Sequence, residues 1–182
     1  TSGSTGVPKR MLATREAMIA SAAASCRFFG MKPGDTALLC LPLQYIAGKM
    51  MVVRALVGGL NLIISEPSST PLAGLERAID FAPMVPMQVT TTLAQPNGAE
   101  QLAHVRTLLL GGGFVDPTLE EQLQTLPCRV FTSYGMTETL SHIALRAANG
   151  PQRSDWYTPL PGVSLSLTPD GTLQITAPYL NI

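Results

Sequence analysis

Two short segments combine residue types suited to phosphate chemistry. Thr1-Ser2-Gly3-Ser4-Thr5-Gly6-Val7-Pro8-Lys9 packs four hydroxyls, two glycines and a lysine into nine residues. The glycines let the backbone turn so that several N–H groups face one anion. The hydroxyls of Thr1, Ser2, Ser4 and Thr5 add donors, and Lys9 adds a full positive charge. Donors with one cation suit a polyphosphate better than a carboxylate. On composition alone the segment also reads as a flexible linker. A Walker loop is excluded, because Gly3 and Gly6 are too close together and Lys9 does not follow a glycine. The second segment is Tyr134-Gly135-Met136-Thr137-Glu138. Tyr134 offers a flat face to a base, Thr137 a hydroxyl to a phosphate oxygen, and Glu138 a hard carboxylate to Mg²⁺. Taken alone, this stretch also reads as a turn with a buried Tyr.

The elements around these segments alternate. A helix is expected over 14–29, where Thr14 can cap its start and Gly30 its end. A strand over 36–41 stops at Pro42, and an apolar helix over 46–57 stops at Gly58-Gly59. Further strands are expected at 60–65 and 84–87, with a surface helix between them at 71–80 and a helix beginning within 88–93. The strand 106–110 runs into Gly111-Gly112-Gly113, which taken alone is a tight turn. Asp116-Pro117 opens a helix to Leu126. Strands follow at 128–132 and 142–147, and then 163–167 and 172–176 flank Thr168-Pro169-Asp170-Gly171, a hairpin signal. The expected class is α/β, a largely parallel sheet flanked by helices with a terminal antiparallel section. The Tyr134–Glu138 segment then follows a strand's carboxyl end, where such sheets place ligands.

Composition narrows the function. Twelve basic and twelve acidic residues cancel, and charged residues are only 13% of the 182, against roughly 25% in an ordinary soluble domain. Such a chain has no electrostatic footprint for nucleic acid or an anionic membrane. No apolar run approaches the roughly 20 residues of a membrane span. Cys26, Cys40 and Cys128 lie far apart, without metal spacing, and read as reduced buried thiols of a cytoplasmic protein. Glu138 and His142 stand four apart, but no third ligand accompanies them, and no Ser/His/Asp set suggests a hydrolase. Nothing in the sequence speaks against a homo-oligomer.

The first segment resembles the T-S-G-S/T-T-G-x-P-K phosphate loop of the acyl-adenylate-forming superfamily at every defined position. Tyr134–Glu138 resembles that superfamily's Y-G-x-T-E signature, in the expected order. By this resemblance, Thr1, Ser2, Gly3, Ser4, Thr5, Gly6 and Lys9 hold the β- and γ-phosphates of ATP. Tyr134 packs on adenine beside Gly135, Thr137 contacts the α-phosphate, and Glu138 holds Mg²⁺. Gly111, Gly112 and Gly113 lie against the other face of adenine. Thr137, Glu138 and Lys9 form the expected catalytic set. The implied reaction is ATP-dependent, AMP-forming activation of a carboxylic acid, followed by transfer to CoA. The same resemblance leaves two alternatives, an adenylation domain loading a carrier protein and a non-catalytic nucleotide-binding module.

Leu41-Pro42-Leu43-Gln44-Tyr45-Ile46-Ala47-Gly48 resembles a third signature, P-L-x-H/Y-x-x-G. Tyr45 then borders the acyl pocket, with Gln88 and Met136 as further pocket residues. Gly48-x5-Arg54 and Val85-Pro86-Met87-Gln88 resemble the branch that activates o-succinylbenzoate in menaquinone biosynthesis. Lys49, Arg54 or Gln88 could receive that acid's second carboxylate. The resemblance places 1–182 in the central and late part of the large N-terminal domain. The ribose-binding Asp and the small C-terminal domain with its catalytic Lys are expected beyond Ile182. By itself the stretch is expected to have negligible ligase activity and at best weak nucleotide binding.

Overall fold

The computed structural model describes residues 11–180. Thr14 accepts a hydrogen bond from the Ala17 N–H and opens helix α1, Arg15–Phe29, which Gly30 closes in the left-handed conformation. Strand β1 is Thr36–Leu39, helix α2 Ile46–Gly58 and strand β2 Asn61–Ile64. Strand β3, Ile79–Met84, leads into helix α3, Pro86–Leu93, followed by helix α4, Gly98–Ala103. Then come strand β4, Val105–Leu110, helix α5, Pro117–Gln124, and strand β5, Arg129–Gly135. A single 3₁₀ turn, Thr137–Thr139, joins β5 to strand β6, His142–Ala147. Strands β7 (Thr158–Pro159), β8 (Ser164–Leu167) and β9 (Leu173–Thr176) complete the described chain.

Seven strands form one sheet in the order β2-β1-β3-β4-β5-β6-β7. The first five run parallel, while β6 and β7 are antiparallel additions. Among the described residues, strands β8 and β9 pair only with each other, as the hairpin signal predicts. The parallel strands are buried on both faces, so they read as continuous apolar runs. Leu38, Ala82, Met84, Leu108 and Leu110 pack in one core with Val89 of α3, Leu102 of α4 and Leu119 of α5. Ala37, Leu39, Phe81 and Leu109 point the other way, to Phe29 of α1 and Met51 and Ala55 of α2.

Three expectations fail for local reasons. Residues 71–78 form turns instead of a surface helix: Gly74 adopts φ +75° and Leu72 is drawn into the core. Ile79 and Asp80 belong to β3, where the Asp80 carboxylate accepts from the Thr36 N–H and pairs with Arg106. The expected strand at 84–87 ends at Met84, because Pro86 takes a helix's first turn and the Gln88 side-chain oxygen accepts from the Val85 N–H. The strand 128–132 extends to Gly135, because antiparallel pairing with β6 carries the ladder onward. Helix α4 and strand β7 had no sequence signal.

Asn149 fastens the end of α5 to β5. Its carbonyl accepts from the Val130 N–H, and its amide donates to the carbonyls of Leu123, Leu126 and Cys128. Asn149→Ala removes this partner from the Val130 N–H and from the Leu126 and Cys128 carbonyls, while the Leu123 carbonyl keeps a backbone donor. Urea unfolding is expected to show a loss of about 2–3 kcal/mol; a change below about 0.5 kcal/mol contradicts the clasp.

Candidate active site

The parallel strands deliver their carboxyl ends to one edge of the sheet, and the sequence-predicted residues that the structure describes lie on or just after those ends. Tyr45 sits in the connection after β1 and Gln88 in the helix after β3. Gly111–Gly113 follow β4, and Tyr134–Glu138 close β5 and the turn beyond it. Thr1, Ser2, Gly3, Ser4, Thr5, Gly6 and Lys9 lie outside the described residues. The segment that follows them is described, and Met11, Leu12, Ala13 and Thr14 line a small cavity with Thr137, Glu138 and Ile46. Glu138 and Met136 also line a larger cavity of about 350 Å³, closed on its other side by Leu173–Thr176 and Leu180.

The turn carrying Thr137 and Glu138 is tightly held. The Thr139 hydroxyl accepts from the Met136 N–H and lies within reach of the Ser141 and Met136 carbonyls. Leu140, buried at the end of the turn, adopts φ 63° and ψ −40°. For a residue with a β-carbon this costs about 1–3 kcal/mol and persists only where packing imposes it. Gly135 admits the close return of the chain: a β-carbon there would stand 2.5 Å from the Ser141 carbonyl oxygen. Among the described residues, the Glu138 carboxylate makes no hydrogen bond or ion pair, so a hard cation would find it uncommitted. That donor chemistry fits Mg²⁺, which takes few protein ligands. No group of three or more metal-ligating side chains occurs among the described residues.

The glycines after β4 have internal reasons besides any ligand. Gly112 adopts φ +74°, where a side chain is strained. The half-exposed Tyr134 ring meets Tyr157 edge-on at 6.3 Å, and the Arg146 guanidinium lies 5.7 Å from the Tyr157 ring. Gln88, by contrast, is buried and engaged: its amide nitrogen donates to the Ser68 carbonyl at 2.8 Å while its oxygen serves Val85. Tyr45 and Met136 are half-exposed. Lys49 is exposed on α2.

Sequence reasoning named Arg54 as a candidate for the acid's second carboxylate, but not the buried polar cluster it forms with Ser141 and His142 behind the turn. Arg54 of α2 is 3% exposed and donates to the Ser141 hydroxyl. It has no acidic partner among the described residues, and its Nε is buried without a hydrogen bond. Desolvation brings its guanidinium down to about 10, still charged at neutral pH. His142 is also buried, with Nε2 2.9 Å from the Ser25 hydroxyl and Nδ1 3.3 Å from that of Ser141. Burial, helped by Arg54, holds its pKa well below the ordinary value. Its place on an apolar strand directly after a serine was the only available signal. The thiols are not nucleophiles: burial raises Cys26 and pushes Cys40 up to about 12 and Cys128 to about 11.

This fold is that of the adenylate-forming enzymes. The chain belongs to the AMP-binding enzyme family, whose profile matches residues 1–178. An acyl-CoA synthetase (AMP-forming)/AMP-acid ligase II-like protein from Dyadobacter fermentans superposes with a TM-score of 0.93 at 43% identity, over 100% of this chain and 52% of that one. The o-succinylbenzoate coenzyme A synthetase of Bacillus subtilis, solved with ATP and magnesium ion, superposes with a TM-score of 0.80 at 25% identity, over 99% and 40%. The 2-succinylbenzoate–CoA ligase of Escherichia coli is 32% identical over 162 residues, 89% of this chain and 34% of that one. The chain thus spans about a third of the length of such ligases. No described helix is long and apolar enough to cross a membrane.

Two outcomes are expected from this geometry. Gly135→Ala forces the β5–β6 return apart and is expected to cost about 1–3 kcal/mol in urea unfolding; unaltered stability contradicts the close approach. His142 takes its proton near 6.5 when unfolded but only well below that when folded. Its contribution is therefore complete above about pH 6.5 and is lost as pH falls, at up to about 1.4 kcal/mol per unit. Comparing urea unfolding at pH 7.5 and 5.5, the wild type is expected to lose more stability than His142→Asn. Equal losses contradict a buried neutral imidazole.

Proposed function

We propose that the whole protein is a cytoplasmic AMP-forming acid–CoA ligase whose acid is o-succinylbenzoate. In this reading residues 1–182 are the central and late part of its large N-terminal domain. One observation carries it: the chain emerging from the Thr1–Lys9 loop lines the same cavity as Thr137 and Glu138. That shared cavity would bring the loop's donors, Lys9, the Thr137 hydroxyl and the Glu138 carboxylate to one triphosphate.

The substrate carboxylate would attack the α-phosphorus of ATP, giving an acyl-adenylate and pyrophosphate. The CoA thiolate would then attack the acyl carbon and expel AMP. The first step needs positioning and charge neutralisation, because acid and triphosphate repel each other. Carboxylates are already ionised at neutral pH, so no general base is required. Glu138 would hold Mg²⁺, which supplies countercharge to the phosphates when bound. Lys9 and the loop N–H groups would hold the β- and γ-phosphates, and Thr137 the α-phosphate. Tyr134 would carry the adenine, buttressed by Tyr157, with Gly111–Gly113 on the opposite face.

Three side chains are candidates for the acid's second carboxylate, and their surroundings separate them. Lys49 is exposed, and Gln88 is occupied by Val85 and Ser68. Arg54 is a buried cation without an anion among the described residues, an arrangement that is costly unless a negative group completes it. Arg54 is therefore the residue that fits, with Tyr45 and Met136 at the mouth of the acyl site.

Full-length protein incubated with ATP, Mg²⁺, CoA and o-succinylbenzoate is expected to yield the thioester. Product with other acids but none with this one overturns the substrate. In the same assay Glu138→Gln is expected to lower adenylate formation by at least about a hundredfold while leaving the circular dichroism spectrum intact. Wild-type rates in that variant remove Glu138 from the metal site.

A further inference from the structure

The buried cluster behind the turn can be resolved by following its protons. The Arg54 guanidinium donates to Ser141 Oγ. Ser141 Oγ lies 3.3 Å from His142 Nδ1, and Ser25 Oγ lies 2.9 Å from His142 Nε2. Ser25 Oγ is also 3.3 Å from the Ser21 carbonyl. If Nε2 carries the proton, each hydrogen has an acceptor. His142 donates to Ser25, Ser25 donates to the Ser21 carbonyl, and Ser141 donates to Nδ1 while accepting from Arg54. With the proton on Nδ1, Ser141 Oγ accepts twice and its own proton is left without an acceptor. An imidazolium would add a second buried positive charge beside Arg54. Phe29 packs edge-on against the ring at 5.9 Å and fixes its plane. Arg54 on α2 is the charged side chain that acts on it, and the Cys26 thiol of α1 donates to the Arg54 carbonyl.

We propose that His142, neutral and protonated on Nε2, is a positioning residue that orients the Ser141 hydroxyl and through it aims the Arg54 guanidinium at the substrate's second carboxylate. This rests on the substrate reading above. The acceptor on Nδ1 is the functional arm, because it decides which way Ser141 presents its lone pairs to Arg54. The Nε2–H arm anchors the ring to α1. The relay also ties the Glu138 turn to both helices on that face of the sheet, so recognition of the acid and placement of the turn share one set of hydrogen bonds.

The test uses full-length protein and two acids, o-succinylbenzoate and 4-oxo-4-phenylbutanoate, which lacks the ring carboxylate. His142→Phe removes both arms. It is expected to lower the ratio of kcat/KM for the first acid over the second by about tenfold, chiefly through KM for o-succinylbenzoate. His142→Asn places an acceptor near Nδ1 and is expected to restore most of the ratio. His142→Gln places its amide near Nε2 and is not. An unchanged ratio in His142→Phe, or equal rescue by Asn and Gln, overturns the proposal. Independently of any variant, the ring ¹⁵N shifts of wild-type His142 at pH 7 are expected to be those of the Nε2–H tautomer. An Nδ1–H or imidazolium signal overturns it. If wild-type protein makes no thioester from o-succinylbenzoate, the substrate reading fails separately, and the ring nitrogens still decide the relay.

Discussion

The structure turns on one reversal of direction. Five strands run parallel and bring their carboxyl ends to a common edge, and then β6 comes back against β5. The return occupies only residues 136–141, and it is possible because Gly135 lets the Ser141 carbonyl come within a distance no β-carbon tolerates. So short a return cannot lie flat. It strains Leu140, uses Thr139 as an internal tie and projects Thr137 and Glu138 over the sheet edge. The one uncommitted carboxylate of the turn therefore sits at a place set by backbone packing and not by its own contacts.

A second constraint comes from burying a guanidinium. Arg54 reaches the back of the same turn without an acidic partner among the described residues, and a lone charge in an apolar core is costly. Hydroxyls from Ser141 and, through His142, from Ser25 soften that cost but do not neutralise it. The depressed pKa of His142 comes first from its own burial and then from the Arg54 charge beside it. An anionic group near Arg54 would complete the cluster, so binding and stability would be coupled at this point.

Much of this was legible in the sequence because it rests on local chemistry. Thr14 and Gly30 cap α1 as their types require, Asp116-Pro117 opens α5, and the doubly buried strands show as apolar runs. The Tyr134–Glu138 motif announced itself by residue type. What escaped depended on tertiary competition. Gly74 and the pull of Leu72 into the core defeated a helix over 71–80 that propensity favoured, and Pro86 converted an apparent strand into a helix start. Gln88 looked like a pocket residue because an amide can serve a carboxylate, yet the fold uses it to hold a loop. The pairing of Arg54 with Ser141 and His142 joins residues nearly ninety positions apart, which no spacing rule reveals.

The proposed function requires the Thr1–Lys9 loop and the Glu138 turn to enclose one triphosphate. A crystal structure of the intact protein with ATP and Mg²⁺ tests it most directly. The expected result is a phosphate chain lying between residues 2–6 and Thr137, with the metal about 2.1 Å from a Glu138 carboxylate oxygen. A nucleotide bound away from that turn, or a metal held by other residues while Glu138 faces elsewhere, would contradict it.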